Sequence, residues 1–219
     1  DRDEKSLDAL TELFAELGRH RDLADLYLRR AEAATNGESA APYRLALARL
    51  YRKELSDTAQ AIDQLEAIVT DVPWHKEAIK ELEDLVHDDE HKARVVEILR
   101  PLYERADDWR RIVQINEEQF RLASDPVEKV TILRSTAQLW ETRGNDELRA
   151  FAAVGAAFDL VPEDGETRAD LERLAEMLGA WEELSTHYER GIGSTSDDVT
   201  KRELLIAIGA VRSSRRSVR

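Results

Sequence analysis

The chain has no cysteine, which rules out disulfides and thiolate chemistry and leaves the redox compartment open. It has little proline (five residues) and little glycine (nine), too few for a loop-rich or collagen-like architecture. Its longest apolar run, "AFAAVGAAF" from Ala150 to Phe158, has nine residues. A helix needs about 20 to cross a bilayer, so no membrane insertion is expected. An excess of positive charge is lacking too. The net charge is −14, and the last eight residues, "RSSRRSVR", hold four Arg and no acid, so residues 1–211 carry −18. A body that acidic repels phosphate backbones, and nucleic acid is excluded as its partner. The glycine patterns of a phosphate loop or a dinucleotide fold and the G-x-S-x-G elbow of a serine hydrolase are also missing.

What is present is 42% apolar and 36% charged residues, the balance of solvated helices rather than of a disordered acidic chain. Apolar residues recur at helical spacing along almost the whole length. Leu7, Leu10, Leu13, Phe14 and Leu17 mark one face, and Leu23, Leu26 and Tyr27 another. "NGES" (Asn36 to Ser39) punctuates, Leu47, Leu50 and Tyr51 follow, and Ser56-Asp57 caps a helix through Ala61, Ile62, Leu65, Ile68 and Val69 that stops before Pro73. No stretch alternates long enough for a strand. The expectation is an all-α chain of about a dozen helices: a single helical domain over residues 1–211 and a basic, solvated tail over 212–219.

The sequence also resembles itself. A shift of 89 residues lays Ala48 on Ala137, Leu50 on Leu139, Tyr51 on Trp140, Asp57 on Asp146, Ala61 on Ala150, Val72 on Val161 and Pro73 on Pro162. A shift of 72 lays Leu99, Leu102, Trp109 and Ile112 on Leu171, Leu174, Trp181 and Leu184. Trp181, Leu184 and Tyr188 share a helix face, each reached after a small or polar pair: Gly179-Ala180 before Trp181, Asp107-Asp108 before Trp109, Gly18-Arg19 before His20. Each bulky residue is expected to open a helix as a wedge packed back on the one before. The shifts differ by 17 residues, one helix and its turn, so one cycle is expected to hold an extra helix, with Pro101 as its cause. Trp74 is left unexplained by the pattern.

These recurrences resemble the tetratricopeptide-type helical repeat. "WEELSTHY" is similar to the first half of its pattern, with Ser185 where the family prefers Gly. "WETRGNDELRAFAAVGAAFDLVP" and "YRKELSDTAQAIDQLEAIVTDVP" are similar to its second half. The departure is in the period, since neither shift is a multiple of about 34 residues. The resemblance implies an α-solenoid of stacked antiparallel helix pairs forming a superhelix, with no catalysis and no cofactor. Its concave wall would bind a protein or peptide. The inward residues would be Arg49, Arg52 and Lys53; Arg110, Arg111 and Gln114; and Arg134 and Gln138. So many cations within an acidic body suit a carboxylate-bearing partner. The alternative is a spacer or self-assembling stretch of a longer solenoid, which the start at Asp1 without Met favours.

One segment carries metal-site spacing: "HDDEH", His87 to His91, with two His four apart. Asp88 stands where a zinc hydrolase has Glu and no third ligand follows nearby, so a solvated acidic turn is the better reading. "GIGSTSDD" (Gly191 to Asp198) is expected to be a helix-joining loop with Asp197 or Asp198 as an N-cap.

Overall fold

The computed structural model describes the backbone of residues 2–217 and the side chains of Ser6 and residues 9–211. Leu7 and the side chains of the basic tail 212–219 lie outside the described residues. The described chain is helical throughout, with no strand. It forms α1 (Arg2–Glu16), α2 (His20–Ala33), α3 (Gly37–Lys53), α4 (Thr58–Asp71), α5 (Lys76–Leu85), α6 (Lys92–Arg105), α7 (Trp109–Leu122), α8 (Pro126–Leu139), α9 (Glu147–Leu160), α10 (Gly165–Leu178), α11 (Trp181–Ser194) and α12 (Asp198–Ser217). A π-helical segment, Trp140–Gly144, extends α8. The chain divides into two compact units, residues 1–108 and 109–219. Within each, every helix packs on the next, the arrangement of an α-solenoid.

Local chemistry sets the boundaries. Gly18, Asp107 and Gly179 have φ of +64°, +50° and +67°, the left-handed turn that ends a helix. His20, Trp109 and Trp181 then open α2, α7 and α11, as the wedge pattern requires. A second kind of turn places Ser56 and Asn145 at φ of +53° and +49°. The Asp57 carboxylate then accepts from the Gln60 amide, and Asp146 from that of Arg149, capping α4 and α9. Asn36 and Ser39 form a reciprocal capping box at the start of α3.

Both turn types lie on the 89-residue shift, and so do the helices. Adding 89 carries both ends of α2, α4 and α6 onto the ends of α7, α9 and α11. It also carries the starts of α3, α5 and α7 onto those of α8, α10 and α12. The period is five helices, and the 72-residue shift is the four-helix step of the same ladder. No cycle has an extra helix. Pro101 neither ends nor interrupts α6, which runs on to Arg105. The loop expected over Gly191–Asp198 is also shorter than read: Gly191–Ser194 finish α11, and Asp197 caps α12 through the Thr200 amide at 2.8 Å.

Each unit has its own core. In the first, Leu23, Ala24, Leu47 and Leu50 bury together, flanked by Phe14, Tyr27, Leu28, Tyr51 and Leu55. In the second, Phe151, Val154 and Phe158 of α9 join Leu171 and Leu174 of α10, Leu184 and Tyr188 of α11 and Leu204 of α12. The Ala-rich α9 is packed by α8, α10 and α11, and Ala150, Ala157 and Phe158 are wholly buried. Trp181, half-buried, packs against this cluster from the first position of α11. Trp74 is 69% exposed in the turn after α4 and joins neither core.

Candidate protein-binding surface

The cations read from the sequence fall into two groups. Three of the six are tied to carboxylates of the same unit. Arg49 on α3 donates to Glu81 and Glu77 on α5, both at 2.9 Å, and Arg52 reaches Glu81 at 3.2 Å. Arg134 on α8 donates to Glu166 of α10 at 2.8 Å, with Asp170 at 3.5 Å. Arg49 and Arg134 are accordingly held above the ordinary guanidinium range, the Glu81 and Glu166 hydrogen bonds being the main cause. These residues brace alternate helices. In the 89-residue register Glu77 and Glu81 correspond to Glu166 and Asp170, so one acidic edge recurs while its Arg partner moves by one helical turn. Lys53, Gln114 and Gln138 are exposed, and Gln138 is the register counterpart of Arg49.

The second group surrounds an aromatic pair that the sequence reading did not assemble. Trp109 of α7 and Trp140 of the π segment meet edge to face, with ring centroids 5.3 Å apart. Arg110 lies over the Trp109 ring at 4.5 Å, and Arg149 of α9 over the Trp140 ring at 4.4 Å. Both guanidiniums are exposed and both indoles half-buried, so the four make a continuous cation–indole–indole–cation strip. Gly144 makes room for it: a Cβ there would meet the Trp140 ring at 2.8 Å and the Trp109 ring at 3.3 Å. Arg111, half-buried on the same helix, has interactions of its own. Between the same two helices, Asn116 of α7 donates to the Thr136 hydroxyl of α8 at 2.9 Å, a buried polar pair that fixes how they meet.

The first unit keeps only part of this set at the equivalent positions. The counterparts of Trp109, Trp140 and Gly144 are His20, Tyr51 and Leu55, and those of Arg110 and Arg149 are Arg21 and Gln60. The shift had already paired Tyr51 with Trp140. The signal for the rest was Gly144 four residues after Trp140, a small residue one turn from a large ring, and Arg149 on the next helix.

"HDDEH" is the turn between α5 and α6. His91 Nδ1 lies 3.4 Å from Asp88, whose amide-accepting carboxylate also binds the Glu90 N–H. Among the described residues no three His, Asp or Glu side chains gather as a metal site, and no helix is long and apolar enough to cross a membrane.

No known protein family matches the chain, and no curated protein matches it. Fold and packing define an all-α protein of consecutively packed helices.

Proposed function

We propose that this protein is a non-catalytic helical-repeat scaffold of the tetratricopeptide kind, which holds a carboxylate-bearing protein or peptide on an exposed helical surface. One observation carries the reading. The helix ladder repeats every 89 residues while surface residues at equivalent positions change, as in proteins that keep a frame and vary what it presents. The surface best suited to binding is the Arg110–Trp109–Trp140–Arg149 strip, with Gln114 and Gln138 as exposed neighbours in sequence. Indole and guanidinium are the groups that dominate protein interfaces, and a carboxylate makes charge-assisted, geometrically defined bonds to guanidinium. Arg49, Arg52 and Arg134 contribute less, because carboxylates of another helix already hold them, whereas Arg149 meets only Asp146 at the start of its own helix, at 3.4 Å, and stays exposed.

The test is affinity capture from source lysate with the wild-type chain, with Arg110→Glu plus Arg149→Glu, and with Arg202→Glu as an exposed control. Proteins captured by wild type and control but lost from the double variant support the reading. An identical set from all three contradicts it.

A second reading, a self-assembling or spacer stretch of a longer solenoid, is favoured by apolar side chains left exposed on the first and last helices. These are Leu10 and Leu13 on α1 with Leu17 in the turn after it, and Val199, Leu205 and Ile206 on α12. Growth of the light-scattering mass with concentration would support it.

A further inference from the structure

The N-caps of α5 and α10 are register counterparts with one backbone shape and two chemistries. His75 before α5 has φ −70° and ψ 97°, and Asp164 before α10 has −74° and 101°. Asp164 caps with a carboxylate, as Asp57, Asp125, Asp146 and Asp197 do, accepting from the Glu166 amide at 3.2 Å and from the Thr167 hydroxyl. His75 caps with a ring nitrogen: the Ala78 amide donates to its Nδ1 at 3.2 Å. A backbone N–H can only donate, so Nδ1 carries a lone pair and the ring proton sits on Nε2. The cap therefore exists only for the neutral imidazole.

The surroundings supply no substitute for that acceptor. Ala78 is 0% exposed, so water does not reach its N–H while the turn is closed. Among the described residues His75 forms no ion pair that would hold its cationic form in place. On its own helix, Lys76 is a like charge and Glu77 is engaged by Arg49 of α3. Asp71 at the end of α4 lies against Gly37, and Arg105 near the end of α6 lines the groove with α4. In the register Arg134, 3.9 Å from Asp164, becomes Leu45 on α3, and Thr195 after α11 becomes Ala106 after α6. A proton on Nδ1 sets donor against donor and puts positive charge at the positive end of the helix dipole.

We propose that His75 is an acid-sensitive latch: its protonation opens the first turn of α5, while α10, capped by Asp164, stays closed. Free imidazole takes up its proton near pH 6.5 and a carboxylate only near pH 4, so the latch works where the Asp caps are indifferent. The cap contributes fully above about pH 7.5, and its contribution is lost as the pH falls below about 6. Opening the turn displaces Glu77, so the hold of α5 on Arg49 is reduced to Glu81. The latch lies in the first unit and goes beyond the binding surface proposed for the second.

Nuclear magnetic resonance of the full chain tests this. Proton–nitrogen correlation spectra of the rings at about pH 7.5 should show His75 protonated on Nε2 alone. Amide protection factors of Ala78 to Glu81 should fall about fivefold or more between about pH 7.5 and about pH 5.5, while those of Thr167 to Asp170 do not change. His75→Asp, which copies the Asp164 cap, should abolish this response and keep the protection that the wild type shows at the higher pH. The proposal is overturned by a ring protonated on Nδ1 at about pH 7.5, by equal protection of α5 at both pH values, or by an equal fall in α10. A pH response that survives in His75→Asp overturns it too. The tautomer and the wild-type exchange are read without any substitution, so the test stands even if the variant misfolds. None of these outcomes bears on capture through Arg110 and Arg149.

Discussion

Helices α6 and α11 occupy the same rung of the ladder, yet they meet the helix two before them in different ways. Between α9 and α11 the approach is close. A Cβ on Gly155 would lie 2.5 Å from the His187 ring, and one on Gly191 3.0 Å from Phe158. His187 Nδ1–H donates across the same contact to the Asp159 carboxylate at 2.8 Å, which also accepts from Arg190 at 3.1 Å. Between α4 and α6 the counterparts of Gly155 and Gly191 are Glu66 and Leu102, and a groove of about 370 Å³ stays open beside Val69, Ile98 and Leu102. There Arg94 spans the gap, reaching Asp63 at 2.7 Å and Glu66 at 2.5 Å. Both seams carry ion pairs, but two glycines exchanged for larger residues turn a closely packed seam into an open one. The backbone ladder is indifferent to the exchange, because it is set by turns and caps.

The comparison can be broken most strongly at Gly155. Gly155→Leu forces a branched side chain into the space of the His187 ring and should cost about 3 kcal/mol in urea unfolding, the upper range for overpacking. Glu66→Leu, at the same rung beside an open groove, should change stability by less than about 1 kcal/mol. Equal losses would mean that the two seams pack alike.

Next in size is the first residue of each helix. Trp181 opens α11 against the core, whereas its counterpart Lys92, also half-buried, opens α6 paired with the exposed Asp89 at 2.6 Å. Trp181→Ala should cost about 2–3 kcal/mol, below the range for a wholly buried indole because Trp181 is half-exposed. Lys92→Ala should cost under about 0.5 kcal/mol.

A smaller effect distinguishes the helices by pH. Tyr103 on α6 donates to Glu83 at 2.8 Å, and Tyr188 on α11 donates to Glu172, the register counterpart of Glu83. Burial, with Asp108 adding to it, pushes the Tyr103 hydroxyl up to about 12. Burial and then the Glu172 carboxylate push Tyr188 upward as well. Both phenols stay protonated when folded, while the unfolded chain ionises near pH 10, so the folded state binds more protons above that pH. Stability is therefore full below about pH 10 and falls as pH rises toward about 12, by about 1 kcal/mol per unit for each Tyr. Unfolding titrations from pH 8 to 11 should show this slope, reduced in Tyr103→Phe and in Tyr188→Phe. A flat profile would contradict the burial of both hydroxyls.

The smallest effect is ionic. Arg94→Ala should cost about 0.5 kcal/mol at low salt and nothing measurable at about 1 M, since its side chain is 43% exposed and the pairs are screened.

Much of the fold was legible in the sequence because its determinants are local. Gly179 before Trp181, Asp57 before a helical run and the helical spacing of leucines each act within a turn or two. The 89-residue self-similarity is carried by such local residues, Asp57 and Asp146 among them. The 17-residue difference between the shifts implied an extra helix with Pro101 as its cause, but the shifts are four- and five-helix steps of one ladder and α6 continues through Pro101 to Arg105. The candidate surface was less legible. A sequence shows that Arg49 and Arg134 are cations on helices, but not that Glu81 and Glu166, 32 residues further on in each case, already bind them. Nor does it show that Trp109 and Trp140 touch, since that contact depends on a π-helical turn and on Gly144 lying under the rings.

The central claim is one five-helix frame carrying two different seams, and native-state hydrogen exchange read by mass spectrometry tests it most directly. Ile62–Val69 of α4 and Phe151–Phe158 of α9 occupy the same rungs, so their amides are a matched pair. The account predicts at least tenfold slower exchange in α9, where Gly155 and Gly191 let α11 close over it, than in α4 beside its open groove. Equal protection, or greater protection in α4, would contradict it.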